Sequence, residues 1–294
     1  MEAGKKLNVV LHIIFIILSA CCIFPILLTL AISFSSNASI VEDGYRLIPS
    51  EFSLEAYRYI FRDSTTILRA YGVTIFNSVV GTALSVCVMA HYAYAISRPD
   101  FKGRRVMTYY MLITMLFSGG SVASYIVTTT FYHLRDSIWV MILPCLVNAW
   151  NIMILRTFFK TGVPDGIIDA GKIDGAGAYR VLWQLVFPIS LPGLATIALF
   201  QVLMYWNEWN LPLLYIVNPK LYNLQFLLQQ MMQNIQKINE TPELAQQSAA
   251  KLGEIPSESA RMALCFVAMG PILVVYPFFQ KYFIQGLTVG SVKE

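Results

Sequence analysis

Charge is missing from most of this chain, and it is missing in blocks. No Asp, Glu, Lys or Arg lies between Lys6 and Glu42, Arg69 and Arg98, or Arg105 and Arg135. The same holds between Asp136 and Arg156, Arg180 and Glu208, and Arg261 and Lys281. A helix needs about 20 mostly apolar residues to cross a bilayer, and each block holds one such stretch. Six spans are expected at roughly 8–32, 71–97, 106–128, 137–158, 190–217 and 261–283. Helices are the expected form, because lipid offers no partner to exposed backbone N–H and C=O groups. Composition agrees: of the 294 residues 56% are hydrophobic and only 13% charged, where a soluble chain carries charge on about a quarter. The fold class expected is therefore all-α, a polytopic membrane bundle forming a single transmembrane domain over 1–294. The net charge of +4 is too small and too dispersed to suggest nucleic acid.

Lys and Arg set the orientation. Arg98, Lys102, Arg104, Arg105, Arg156, Lys160, Lys172 and Arg180 fall on one side together with Lys5, Lys6, Lys281 and Lys293, in surplus over the acids there. The alternate segments are close to balanced, as with Arg46, Arg58, Arg62 and Arg69 against Glu42, Asp43, Glu51, Glu55 and Asp63. The positive-inside rule then predicts both termini in the cytoplasm. Lys5-Lys6, an apolar run and Leu18-Ser-Ala-Cys21 imitate a lipoprotein leader, but apolar sequence continues past Cys21, so an uncleaved first helix is expected. The five cysteines lie in apolar spans with no metal spacing and read as packing residues. His12, His91 and His133 form no motif.

The connection 159–189 is long for a loop between spans, and long loops are usually functional or disordered. Its sequence is not that of a disordered segment. Pro164-Asp165 is a good helix start; Ile167, Ile168 and Ile173 supply an apolar patch and Asp169 and Lys172 ionic groups. A break is expected at Gly175-Ala-Gly177, then a second helical stretch from Tyr179 to Phe187. In the outer segment 33–70, Leu54, Tyr57 and Phe61 recur at helical spacing and predict a short surface helix. Gly166-Ile-Ile-Asp-Ala-Gly171-Lys172 matches the start of a phosphate-binding P-loop. Ile173 stands where Mg²⁺ needs a Ser or Thr, Asp169 would repel phosphate, and apolar helix precedes it instead of a strand. The match is accidental.

Asp169-Ala-Gly-Lys-Ile-Asp-Gly-Ala176, followed by Phe187-Pro188 and Leu191-Pro192, resembles the "EAA" loop of permease subunits in ABC importers. The departures are Asp169 where the family has Glu and Gly171 where it has Ala. Asn77-Ser78, Ala93-Tyr-Ala95 and Phe101-Lys-Gly103 are similar to maltose-type sugar permeases. Phe117-Ser-Gly-Gly120, Arg156-Thr-Phe-Phe159, Tyr205-Trp-Asn-Glu-Trp209 and Tyr276-Pro-Phe-Phe-Gln-Lys-Tyr-Phe283 resemble the subgroup serving complex oligosaccharides and polysaccharide fragments.

The resemblance implies a type I importer permease fold, multi-pass in the bacterial cytoplasmic membrane. It implies a second permease, two ABC ATPase subunits that bind the ATP and Mg²⁺, and an extracytoplasmic solute-binding protein. This chain would hold no cofactor, metal or catalytic residue. Ile167, Ile168, Asp169, Ala170, Lys172, Ile173, Asp174 and Gly175 would couple to the ATPase, with Gly175 permitting a sharp turn. Asn148, Asn151, Tyr205, Trp206, Asn207, Glu208 and Trp209 are the candidates for the carbohydrate path; aromatics at that depth also form interfacial belts. Glu208 is expected to face a cavity or partner, as acids at membrane depth do. A secondary transporter would need ion-coupling acids within its spans, and only Glu208 qualifies; no constellation for an intramembrane enzyme is visible.

Overall fold

The computed structural model describes the backbone of residues 2–240 and 257–291. Residues 241–256 of the polar outer segment, and the side chains of 1–7, 239, 257, 274–276, 278–279 and 281–294, lie outside the described residues, and most of the Tyr276-to-Phe283 run is among them. Helix dominates throughout: α1 (Glu2–Ser33), α2 (Asn37–Asp43), α3 (Glu55–Ile60), α4 (Ser64–Ser97) and α5 (Arg104–Leu116) come first. Then follow α6 (Gly120–Phe131), α7 (Ala149–Thr161), α8 (Asp165–Ile173), α9 (Ala178–Ile189) and α10 (Leu191–Asn207). The chain closes with α11 (Asn210–Tyr215), α12 (Leu224–Glu240) and α13 (Ser257–Ser291). Among the described residues there is no β-strand, only an isolated bridge between Ser35 and Phe52.

The first and second expected spans are single helices, with Asn8–Ser33 and α4 long and apolar enough to cross a membrane. Three others are bent. The stretch expected as one helix over 106–128 breaks into α5 and α6 with a 115° turn between them. Phe117-Ser-Gly-Gly120 makes the break: Phe117 is extended and Gly120 has φ +79°, a conformation that disfavours any residue with a Cβ. The 137–158 span opens as two short 3₁₀ turns, Ile138–Met141 and Leu143–Cys145, and becomes α-helical only in α7. Pro144 accounts for that delay, since it has no N–H to donate. α9 meets α10 at 83°, around Ser190 and ahead of Pro192. α10 stops at Asn207, so the expected 190–217 span also breaks, at Glu208-Trp209, before α11.

Two compact units divide the chain, one from the described parts of Met1–Ile67 and Leu228–Pro271, the other from those of Leu68–Leu227 and Ile272–Glu294. In the first, the Phe34 ring stacks between Phe52 and Tyr57, at 5.5 and 5.0 Å. The expected surface helix is present as α3. Ser36 caps α2 by accepting from the Ser39 amide and donates its hydroxyl to Glu51 at 2.7 Å. Asn37 accepts from the Glu258 amide, which ties the start of α13 to this cluster.

The second unit carries the larger core. Met89, Ala93 and Ile96 of α4 pack with Ile152, Leu155 and Phe159 of α7, with Val181 and Val186 of α9, and with Ile197 of α10. A smaller cluster joins Val73, Val140, Met141 and Tyr215. Beside it, Asp136 adopts φ 57° and accepts the amides of Val217 and Asn218 at 3.0 and 2.8 Å, pinning two loops together.

Candidate functional site: a helix held by its inner face

The nine residues of α8 divide cleanly between two faces. Ile168, only 2% exposed, and Gly171 are buried in the core of the second unit. Gly166, Asp169, Ala170 and Ile173 lie on the other face at helical spacing, and all are exposed, Ile173 by 86%. The apolar patch expected from Ile167, Ile168 and Ile173 is therefore split. Ile168 anchors the helix within its own chain and is not available to another protein, while Ile167, at 38% exposed, stands at the border.

Glycine decides how closely α8 approaches its neighbour. A Cβ on Gly171 would come within 2.7 Å of Leu185 Cδ1 and 3.6 Å of Val181, both on α9. The departure from Ala at this position thus has a packing consequence: a methyl group on residue 171 would make the Leu185 side chain move aside.

Both ends of α8 are fastened. At the start, Pro164 is extended and Asp165 occupies the first turn, as its sequence predicts. Arg98, at the end of α4, is buried and donates to Asp165 at 3.3 Å, to the Phe159 carbonyl at 2.8 Å and to Ser97 at 3.0 Å. Its guanidinium also lies 5.4 Å from the Tyr94 ring centre. At the other end, Gly175 has φ +77°, the Ala176 amide reaches the Gly171 carbonyl and the Gly175 amide the Lys172 carbonyl. This is a Schellman ending, which satisfies carbonyls that a helix terminus otherwise leaves open. Gly175 therefore makes the sharp turn, and Asp174 is the residue just before it. Gly166–Lys172, the P-loop look-alike, is helical, so most of its amides are spent within the helix.

Lys172 and Asp100 form a 2.9 Å ion pair between α8 and the α4–α5 turn. The hydrogen bond from Lys172 holds the Asp100 carboxyl below its ordinary range, and the same bond pushes the Lys172 ammonium up. Arg98 and Asp100 belong to the site although sequence reasoning treated their turn as a charge anchor. The available signal was that Arg98 is the first charged residue after a long neutral helix.

The carbohydrate-path candidates divide differently. Asn148 caps α7 by accepting from the Asn151 amide at 3.2 Å. It borders a cavity of about 500 Å³ with Tyr110, Thr114, Met115 and Trp150, residues the sequence did not single out. Asn151 is buried. Tyr205–Trp209 are not among that cavity's walls. Tyr205 is 1% exposed and Trp206 is buried, so neither is open to a path in this structure. The Tyr205 hydroxyl bonds Ser85 Oγ and the Ile142 carbonyl, both at 3.0 Å, and its ring fills the space above Gly81, where a Cβ would meet it at 2.6 Å. Asn207 and Trp209 remain exposed. Glu208 turns on its own chain: its carboxylate accepts the amides of Asn210 and Leu211 at 2.8 and 2.9 Å, capping α11.

No protein-family model matches the chain. It is 36% identical over 272 residues to a polygalacturonan/rhamnogalacturonan transport system permease protein of Bacillus subtilis, covering 92% of this chain and 93% of the relative. The chain belongs to the permease subunits of carbohydrate ABC importers. A trehalose/maltose transport system permease protein of Thermococcus litoralis is 27% identical to the permease over 288 residues, covering 95% and 94% of the two chains. The fold is that of a chain in the crystal structure of a bacterial ABC transporter involved in the import of the acidic polysaccharide alginate. That match has a TM-score of 0.79 and 26% identity, and covers 96% of the permease and 98% of the other chain. The maltose-type resemblance is thereby borne out, and with it a place in the bacterial cytoplasmic membrane. ABC import systems comprise a second permease, ATPases and a solute-binding protein, and ATP is used by the ATPases.

Proposed function

We propose that the permease is a single six-span transmembrane domain with both termini in the cytoplasm, supplying half of the path for an oligosaccharide or polysaccharide fragment. It carries no catalytic residue and no cofactor; the work comes from ATPase subunits that grip α8. The observation behind this reading is the division of α8: an inner face locked to the core through Ile168 and Gly171, and an exposed outer face of Gly166, Asp169, Ala170 and Ile173, of which Gly166 and Ala170 border an open groove shared with Arg180 and Gln184. An apolar side chain flanked by a carboxylate, on a short rigid helix, suits a groove on another protein. Lys172 is engaged by Asp100, so its first role is to hold α8 to the α4–α5 turn.

Movement of α8 passes directly into three spans. Arg98 couples it to α4 and to the end of α7, and Gly171 to α9 and so to the start of α10. Transport then proceeds as a shift between two packed arrangements, biased by ATP. Carbohydrate is the substrate class favoured by the relatives, two of which are named for acidic polysaccharides. The Asn148 cavity, with amide, hydroxyl and aromatic groups, is this chain's best candidate for sugar contact.

Reconstitution with the partner permease, ATPases and binding protein tests the coupling. Ile173→Asp and Asp169→Ala should each lower binding-protein-stimulated ATP hydrolysis about tenfold, within the usual span of coupling energies, while the complex still assembles. Full stimulation in both variants would remove α8 from the coupling path.

A further inference from the structure

A second cavity, about 500 Å³, touches α8 at Lys172, which is not part of its exposed stripe of Gly166, Asp169, Ala170 and Ile173. Its floor is one face of α4, made by His91, Tyr94, Ala95 and Arg98 at spacings of three and four residues. Tyr179 and Leu182 of α9 form the opposite wall, and Asp100, Phe101 and Lys172 the rim. No step of the transport cycle described above uses it.

The cavity changes polarity along its length. At the His91 end it is aromatic: His91 lies 6.2 Å from Tyr179, both in its wall, and Trp183 backs His91 from outside the cavity at 5.7 Å. At the other end stand Arg98, Asp100 and Lys172. With α4 running inward, His91 is deeper in the bilayer than Arg98 by about 10 Å, seven residues of helix. The headgroup layer of one leaflet is about 6 Å thick, so the ionic rim and the aromatic end straddle it. Tyr179 and Trp183 are both largely exposed, as aromatics at a membrane interface are.

Charge at the rim selects the occupant. The walls carry Arg98, which also reaches Asp165, and Lys172 against Asp100, and the turn just outside them adds Lys102, Arg104 and Arg105 with no further acid. The Lys172 ammonium has three N–H groups, of which Asp100 takes one. Basic pockets between helices on the cytoplasmic side are suited to acidic lipid headgroups. We infer that this groove is a binding site for an anionic phospholipid, its phosphate against Lys172 and the 98–105 turn and its glycerol and acyl chains along His91, Tyr94, Ala95, Tyr179 and Leu182. A lipid seated there braces α8 against α4, which makes coupling sensitive to membrane composition. The inference uses the inner-side placement of this turn from the proposed topology.

The complete importer, carrying a photoreactive benzophenone amino acid in place of Tyr179, is placed in nanodiscs of mixed phosphatidylcholine and phosphatidylglycerol and illuminated. Adducts enriched in phosphatidylglycerol over its share of the bilayer are expected. Lys172→Gln should reduce that enrichment roughly fivefold, in line with the contribution of one basic residue at a charged surface, and Lys172→Arg should preserve it. Ala95→Trp should fill the groove and abolish it; if that variant fails to assemble, the Lys172 pair carries the test. Equal labelling of the two lipids, crosslinks to an ATPase or the partner permease, no adduct at all, or loss of lipid labelling on adding inorganic phosphate would each overturn the inference. Binding-protein-stimulated ATP hydrolysis by the wild-type importer in the same nanodiscs, and uptake after reconstitution in sealed vesicles, report separately on the permease reading.

Discussion

Tyr205 shows how a polar residue becomes structural inside a membrane protein. In the broken span around Ile142 the backbone carbonyl accepts the Cys145 amide at 3.2 Å and has room for a second donor, which lipid cannot supply. The Tyr205 hydroxyl reaches that carbonyl and Ser85 together, joining α4, the 138–145 turns and α10 at one point. Gly81 leaves room for the ring. Tyr205→Phe takes the second bond from the Ile142 carbonyl and the partner from the buried Ser85 hydroxyl, so a loss of about 0.5–1.5 kcal/mol is expected. Thermal unfolding of the detergent-solubilised permease reads it, and an unchanged midpoint would show that the three elements hold without this junction. Glu208 teaches the same lesson. An acid at membrane depth reads as a functional group, yet here its carboxylate is occupied by two amides at the start of α11. Chemical type was legible in the sequence at both positions, but the partner was not.

At the scale of elements, α8 is the informative case. Its start at Pro164-Asp165, its turn at Gly175 and its ionic groups follow from local rules: proline in a first turn, glycine at a left-handed position. Which face points inward does not follow from them, because Ile167, Ile168 and Ile173 are equally apolar. Packing against α9 selects Ile168, and Gly171 permits it. The Lys172–Asp100 pair then sets a pH window for the attachment of α8. The lowered Asp100 carboxyl contributes stability present above its unfolded value and lost as pH falls through the folded one. The raised Lys172 ammonium contributes stability present below its unfolded value and lost as pH rises through the folded one. Between the ordinary aspartate and lysine ranges, about 4 and about 10.4, the pair is constant. Asp100→Asn should therefore lower the unfolding midpoint by a constant, small amount across neutral pH and remove the decline that this pair adds at each extreme. Both groups are exposed, so the effect is modest. Parallel pH profiles of variant and wild type over the whole range would separate Lys172 from Asp100.

For the whole molecule, the count and direction of the spans matter more than any single contact. Along the chain, long α1 and α4 are followed by three bent pairs and then by α13, whose sequence supplies the sixth apolar block. The proposed topology places α8 inside the cell. In a cysteine-free background and in cells lacking the partner ATPases, Ile173→Cys should react with a membrane-impermeant maleimide in inverted vesicles and stay unlabelled in intact cells. The reverse pattern would invert the molecule and take α8 away from any ATPase.

Some of this was settled by local composition. The spacing of charge-free blocks determines a helical membrane protein, because the cost of unpaired backbone groups and of charge in lipid depends on each segment alone. The helix signals around Pro164 and Gly175 determine α8 for the same reason. Tertiary structure decided the rest: the burial of Ile168 and Tyr205, Arg98 as the tie between α4, α7 and α8, and the cavity beside Lys172. Each depends on residues distant in the chain meeting at one place, and the energy of such a meeting belongs to the pair and not to either segment.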